Sequence, residues 1–280
     1  MRSVNGLRRF LSFESRRWTS SSSSAADSEH HRIARFADST GLGPKRFYKN
    51  ADVDALKQGL GFVVRLDKKD LRTPQRKALA APSKALAVAV AAEWDCQGAR
   101  VRPSSMPVYQ LLVNALDIVP FNRDSSTQSL LRYIDTDTVC YRTTYPMSLA
   151  EEQERLWDPV VKYVHEKYQI SLQTTKELTG VDQAPEAKTK LNKLLTELDD
   201  IRFAAMESAV ATSKSFAIGL ALLDGFLNAD QALEAARCDE EFQARVWGEV
   251  EGGHDMDSAD CRVRLAAAST VFRTSKGVQD

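Results

Sequence analysis

The chain has 280 residues, 43% of them hydrophobic and 27% charged, enough material for a sizeable core in one large domain or two modest ones. Its 38 basic and 38 acidic residues balance, yet five arginines and a single acid, Glu14, fall within the first 26 positions, so the remainder is mildly acidic. That argues against the basic face of a nucleic-acid binder, and no stretch approaches the roughly 20 apolar residues of a membrane-spanning helix.

Residues 1–26 interleave Arg2, Arg8, Arg9, Arg16 and Arg17 with Leu7, Phe10, Leu11 and Phe13, and a serine run follows from Ser20 to Ser24. Arginine-rich, serine-rich, acid-poor and amphipathic is the composition of an organelle transit peptide, here read as mitochondrial; the plainer reading is a basic tail. Residues 27–45 form a polar linker. From 46 to 82, short runs broken at Gly59, Gly61, Pro74 and Pro82 predict a small antiparallel sheet. GFVVRLD (61–67) is a strand, DKKD (67–70) a turn, and LRTP (71–74) opens the partner strand.

From Ser83 the period becomes helical. Ser83 is placed to cap a helix that carries Leu86, Val90 and Trp94 on one face. A second helix is expected over 106–119, ending at Pro120, and a third behind an Asp124 cap with Leu130, Leu131 and Ile134. The segment 148–168 reads as helix with a kink or restart at Pro159. Pro185 suits the first turn of a helix bearing Leu191, Leu194, Leu195 and Leu198, and 203–227 reads as a central helical hairpin. Asn228 and Gln231 form a capping-box pair, and Asp257 fits an N-cap for the last helix with Asp260 in its first turn. The expected fold is α+β: a small N-terminal antiparallel β domain over 46–82, then a larger all-helical domain over 83–280.

Phosphate-binding loops of the GxxxxGK[ST] or GxGxxG type and a GxSxG nucleophile elbow are missing from the sequence, so nucleotide chemistry and serine nucleophilic catalysis have no support. Cys96, Cys140, Cys238 and Cys261 are scattered without a CxxC pair, which argues against a cysteine metal cage or a disulfide framework. Asp135 and Asp137 make a D-x-D pair that could hold a divalent ion, or could cap and end the preceding helix. WGEVEGGHDMDSAD (247–260) gathers Glu249, Glu251, His254 and Asp255 around the Gly252–Gly253 break. A catalytic zinc generally needs three protein ligands, and His254 is the one histidine nearby. DMDSADCRVRLA lacks the glycine and the final acid of a calcium loop. Carboxylates on such a corner suit basic groups of a partner. The alternative is a metal-dependent matrix enzyme using Asp135, Asp137 and the His254 cluster.

RFYK (46–49), LRTP (71–74), EWDCQ (93–97), SMP (105–107), YIDTDTVCYR (133–142) and WGEVEGGHD (247–255) occur in this order. Together they resemble the mitochondrial assembly chaperones for the ATP synthase α subunit, over about five-sixths of the chain. The resemblance implies a sheet domain followed by a helical domain, and a protein without enzymatic activity, cofactor, metal or small-molecule substrate. It implies a mitochondrial matrix protein, with no nucleic acid and no membrane insertion. The expected partner is the unassembled α subunit, held transiently, kept from aggregating and yielded to the β subunit. A functional acid near the C-terminal end is placed at Glu251, with Glu249 as its close alternative, and Asp255 joins them as a partner-binding acid. Trp94 is carried over as a further partner-binding position, against its reading as a core tryptophan. Asp135 and Asp137 match the same pattern, which favours a structural or partner-facing role over a transferase site. Thr138 stands where an apolar residue is more usual.

Overall fold

Val64 and Leu66 alternate along FVVRL and are both buried, which makes this strand the organiser of the sheet. The computed structural model describes residues 43–56, 61–177, 180–248 and 253–275, so the leader and nearly all of the linker lie outside the described residues. In it, β2 (Phe62–Leu66) pairs antiparallel with β1 (Ala51–Ala55), Val53 opposite Val64. It also pairs antiparallel with the short β3 (Lys69–Asp70) and β4 (Ala80–Ala81). Asp67 turns the chain between β2 and β3 with a left-handed φ of 52°. Its carboxylate accepts the Asn50 and Lys49 N–H groups at 3.0 and 2.9 Å, which hold its pKa below the usual aspartate range. The returning strand therefore begins at Lys69, two residues ahead of LRTP, while Arg72 joins Ala78 in an isolated bridge.

Helix α1 (Lys84–Asp95) packs on the sheet, capped as expected by Ser83, whose Oγ accepts the Leu86 N–H at 3.1 Å. Next come α2 (Pro107–Asp117) and α3 (Val119–Arg132). Two expectations fail here. Pro120 opens α3 instead of ending its predecessor, because a proline in the first turn removes an N–H that has no partner anyway. Asp124 consequently lies inside α3 and caps nothing. Helix α4 (Met147–Tyr168) is one element containing Pro159, with no restart.

The rest is α5 (Pro185–Glu197), α6 (Asp200–Ser213), α7 (Phe216–Asp224), α8 (Ala229–Ala236), α9 (Cys238–Trp247) and α10 (His254–Thr274). Helix α6 is the hub, packing on α10, α2, α7 and α3. Every residue of α7 from Phe216 to Leu223 is buried, as FAIGLALL demands. The capping box at Asn228 and Gln231 is present, with reciprocal bonds of 2.9 Å. Helix α10 starts four residues earlier than an Asp257 cap would allow, behind Gly253. Sheet and helices share one hydrophobic core running from Tyr48 to Phe272. The Ser83 hydroxyl, donating to the Thr274 carbonyl, ties the start of α1 to the end of α10. The α+β architecture expected from the sequence is the one observed.

Candidate functional site

The sequence motifs turn out to be joints. In EWDCQ, Glu93 reaches from the end of α1 to the N-terminus of α2 and accepts the Val108 and Tyr109 N–H groups at 2.8 and 2.7 Å. Burial pushes its pKa up to about 7 despite those bonds. Trp94 is only 6% exposed, held edge-on between the Tyr48 and Tyr109 rings at 5.5 and 5.2 Å. Its Nε1 meets no acceptor, and the Tyr48 hydroxyl donates to its carbonyl at 2.6 Å. The indole is thus packed as a core group, the reading set against direct contact. Asp95 pairs with Arg46 of RFYK at 3.1 Å, and Met106 of SMP is wholly buried.

The D-x-D pair is divided between two duties. Asp135 accepts from Lys188 Nζ at 2.8 Å and from the Gln183 N–H at 3.3 Å. Asp137 is completely buried and accepts the Phe216 and Ala217 N–H groups at 2.7 and 3.0 Å, where α7 begins, and the Val139 N–H at 3.2 Å. Burial pushes its pKa up to about 6, against the pull of these bonds and of Ser215. Among the described residues no group of three or more His, Cys, Asp or Glu side chains is arranged to hold a metal ion.

The acidic corner sits between α9 and α10. Glu249 and Glu251 lie outside the described residues, and of His254 only its place at the start of α10 is described. Asp255 is exposed and accepts the Met256 N–H at 2.9 Å. Asp257 is no cap: its carboxylate takes the Arg237 guanidinium. Arg237, 4% exposed, also reaches Glu240 at 3.5 Å and Glu241 at 3.2 Å, so one buried cation clamps the start of α9 to the first turn of α10. A groove of about 350 Å³ runs between the two helices, with Glu241 and Ala244 on one wall and Asp255, Ala259, Arg262 and Val263 on the other. These helices also expose Val246, Met256 and Trp247, the last to 78%. Helix α9 is moored to α4 by Asp239, which accepts from Gln153 Nε2 at 2.7 Å, and by the Arg245–Glu152 pair. Trp247 is not among the candidate residues read from the sequence. An aromatic directly before a helix-ending glycine was the signal that could have marked it as exposed.

A family model described as ATP12 chaperone protein matches residues 45–165. Relatives include Protein atp12, mitochondrial, of Schizosaccharomyces pombe, 29% identical over 249 residues that cover 84% of each chain. Protein ATP12, mitochondrial, of Saccharomyces cerevisiae is 26% identical over 270 residues, covering 80% of this chain and 81% of the yeast chain. Among solved structures, Atp12 from Paracoccus denitrificans matches with a TM-score of 0.75 at 28% identity, over 83% of this chain and 99% of that one. The Atu1473 protein from Agrobacterium tumefaciens matches at 0.77 and 33% identity, over 83% and 87%. The chain belongs to the ATP12 chaperone family. Among the described residues no helix is long and apolar enough to cross a membrane.

Proposed function

We propose that this chain is an ATP-independent assembly chaperone of the mitochondrial matrix. It binds the unassembled ATP synthase α subunit, prevents its aggregation and hands it to the β subunit. Membership of a chaperone family, the mitochondrial names of two relatives and the transit-peptide composition of residues 1–26 support this reading. In it, residues 27–45 are a linker ahead of the β domain, 46–82, and the helical domain, 83–280. The chain makes and breaks no bonds: a subunit awaiting its partner exposes an aggregation-prone interface, and a displaceable surface is enough to cover it.

The observation that carries the binding step is the α9–α10 corner, where a largely exposed Trp247 ends α9 and an exposed Asp255 lies in the first turn of α10. Apolar anchors supply affinity, while charge speeds encounter and sets register. Asp255, with Glu249 and Glu251 at the break between the helices, meets basic groups on the α subunit. Light scattering of purified α subunit, without nucleotide, tests this. Near-stoichiometric suppression of aggregation, relieved by β subunit, is expected. Glu251→Gln and Asp255→Asn should each weaken capture at unchanged melting temperature. Aggregation that proceeds unchecked, with the two proteins eluting separately, would reject the α subunit as client.

A further inference from the structure

Residues 71–77 form a basic turn beside the joint between α2 and α3. Within LRTP, Leu71 and Thr73 are buried while Arg72 is exposed. The Thr73 N–H donates to the Lys77 carbonyl at 2.9 Å and the Arg76 N–H to the Thr73 carbonyl at 2.8 Å, which closes the turn. Buried Asp117, at the end of α2, pins it in place: its carboxylate accepts the Thr73 hydroxyl at 2.9 Å and the Gln75 N–H at 3.0 Å. Lys77 serves the same joint, donating from Nζ to the Leu116 carbonyl and standing 3.9 Å from Asp117. Arg72 and Arg76 have no such duty. Both are exposed, Arg72 Nη1 reaches only the Arg76 carbonyl at 3.0 Å, and among the described residues no carboxylate pairs with either guanidinium. Arg76 also holds a left-handed φ of 63°, a conformation that glycine adopts without strain. Residues 71–77 contain no acid. Beside the turn, Ile118 and Phe121 are exposed at the α2–α3 joint, Phe121 to 72%, with its ring 5.3 Å from Lys77 Nζ. Asp124, one turn further along, is the one acid of α3.

We infer that this corner is a docking site for an acidic segment of another protein. Carboxylates of the segment meet Arg72 and Arg76, and an apolar side chain between them lies against Phe121 and Ile118. The unanswered guanidiniums fix the sign of the partner, and the pinned turn fixes its kind. Guanidiniums held at a set spacing suit paired carboxylates, which arginine takes in two parallel hydrogen bonds. A fluid anionic membrane needs no such fixing, because it draws basic side chains in as point charges. Phe121 supplies the apolar anchor, while the charges speed encounter and set register. The site shares no residue with the α9–α10 corner and does not rest on the proposed function. Under that function, a client presenting such a segment is gripped at two places, and each grip raises the effective concentration at the other.

A synthetic peptide, Asp-Glu-Leu-Phe-Glu-Asp with blocked ends and a fluorophore, tests this by anisotropy on the full chain. Binding should weaken as salt is added. The double variant Arg72→Gln/Arg76→Gln should bind roughly 30-fold more weakly and Phe121→Ser roughly 10-fold, each at unchanged melting temperature. The arginines of residues 1–26 stay in every variant, so the change is read at the corner. A second peptide, with Asn and Gln in place of the acids, closes a double-mutant cycle. Removing the peptide's charges should cost the wild type roughly 30-fold and the double variant far less, because the same contacts are already gone. A wild-type chain that fails to bind the acidic peptide overturns the inference. So do variants that bind it at wild-type strength, or a cycle in which the two losses simply add. Flotation with phosphatidylglycerol vesicles should be the same for the wild type and the double variant. A loss of flotation in the variant would give the corner to a membrane surface and overturn the inference. None of these measurements uses the α subunit, so this inference and the proposed function can fail separately.

Discussion

Glu93 and Asp137 are acids whose ligands are the backbones of neighbouring helices, and their burial has a consequence for pH. The Glu93 pKa stands at about 7 against an ordinary 4.5, so the folded protein holds that proton more tightly than the unfolded chain does. Protonation therefore favours folding. The contribution is fully present below pH 4.5 and is lost as the pH rises through about 7. Asp137 acts in the same sense between 3.8 and about 6. The urea midpoint should accordingly fall on going from about pH 5 to about pH 7.5, and fall less in Glu93→Gln, whose amide has no proton to lose. An unchanged slope in that variant would remove Glu93 from the effect. Asp137→Ala is harsher, since it strips the acceptor from three buried N–H groups. At about 1–3 kcal/mol for each buried donor left unpaired, a loss of at least about 3 kcal/mol is expected in denaturant unfolding. A loss under about 1 kcal/mol would mean that other acceptors take over the start of α7.

At the scale of elements, signals contained within a few residues were legible. Ser83 and the Asn228–Gln231 pair cap the helices they were expected to cap, because a cap is a contact across three positions. Proline is ambiguous by nature. Pro120 could end one helix or open the next, and which of these happens depends on whether the following turn is packed, here against α6. Asp257 looked like a cap for the same local reason, until the buried Arg237 from the turn between α8 and α9 claimed it. The approach of α7 to α6 is likewise tertiary. A Cβ on Gly219 would lie 2.8 Å from Val210 Cγ2 and 3.4 Å from Met206 Sδ. Overpacking of this kind costs about 1–3 kcal/mol, and the helix propensity of alanine returns about 1. Gly219→Ala should therefore lower stability by about 1 kcal/mol in urea unfolding. A net gain would show that α7 can step back from α6.

For the whole molecule, the order of six motifs pointed to the family, yet it did not say which motif residues face outward. EWDCQ, SMP and YIDTDTVCYR are spent largely on the core and on helix ends, while exposure depends on the packing of elements distant in sequence. The two tryptophans make this contrast testable. Trp94 is buried between two tyrosines, so Trp94→Ala should cost about 3–5 kcal/mol and impair client capture only through unfolding. Trp247 is the exposed last residue of α9, so Trp247→Ser should leave the melting temperature nearly unchanged, within about 0.5 kcal/mol of stability. Under the proposed function it should nonetheless weaken capture of the α subunit roughly 30-fold, the loss typical of an aromatic anchor at the centre of an interface. Thermal melting and light scattering on the same two variants separate the effects. A stable Trp247→Ser chain that suppresses aggregation as well as the wild type would move the client surface away from α9 and α10.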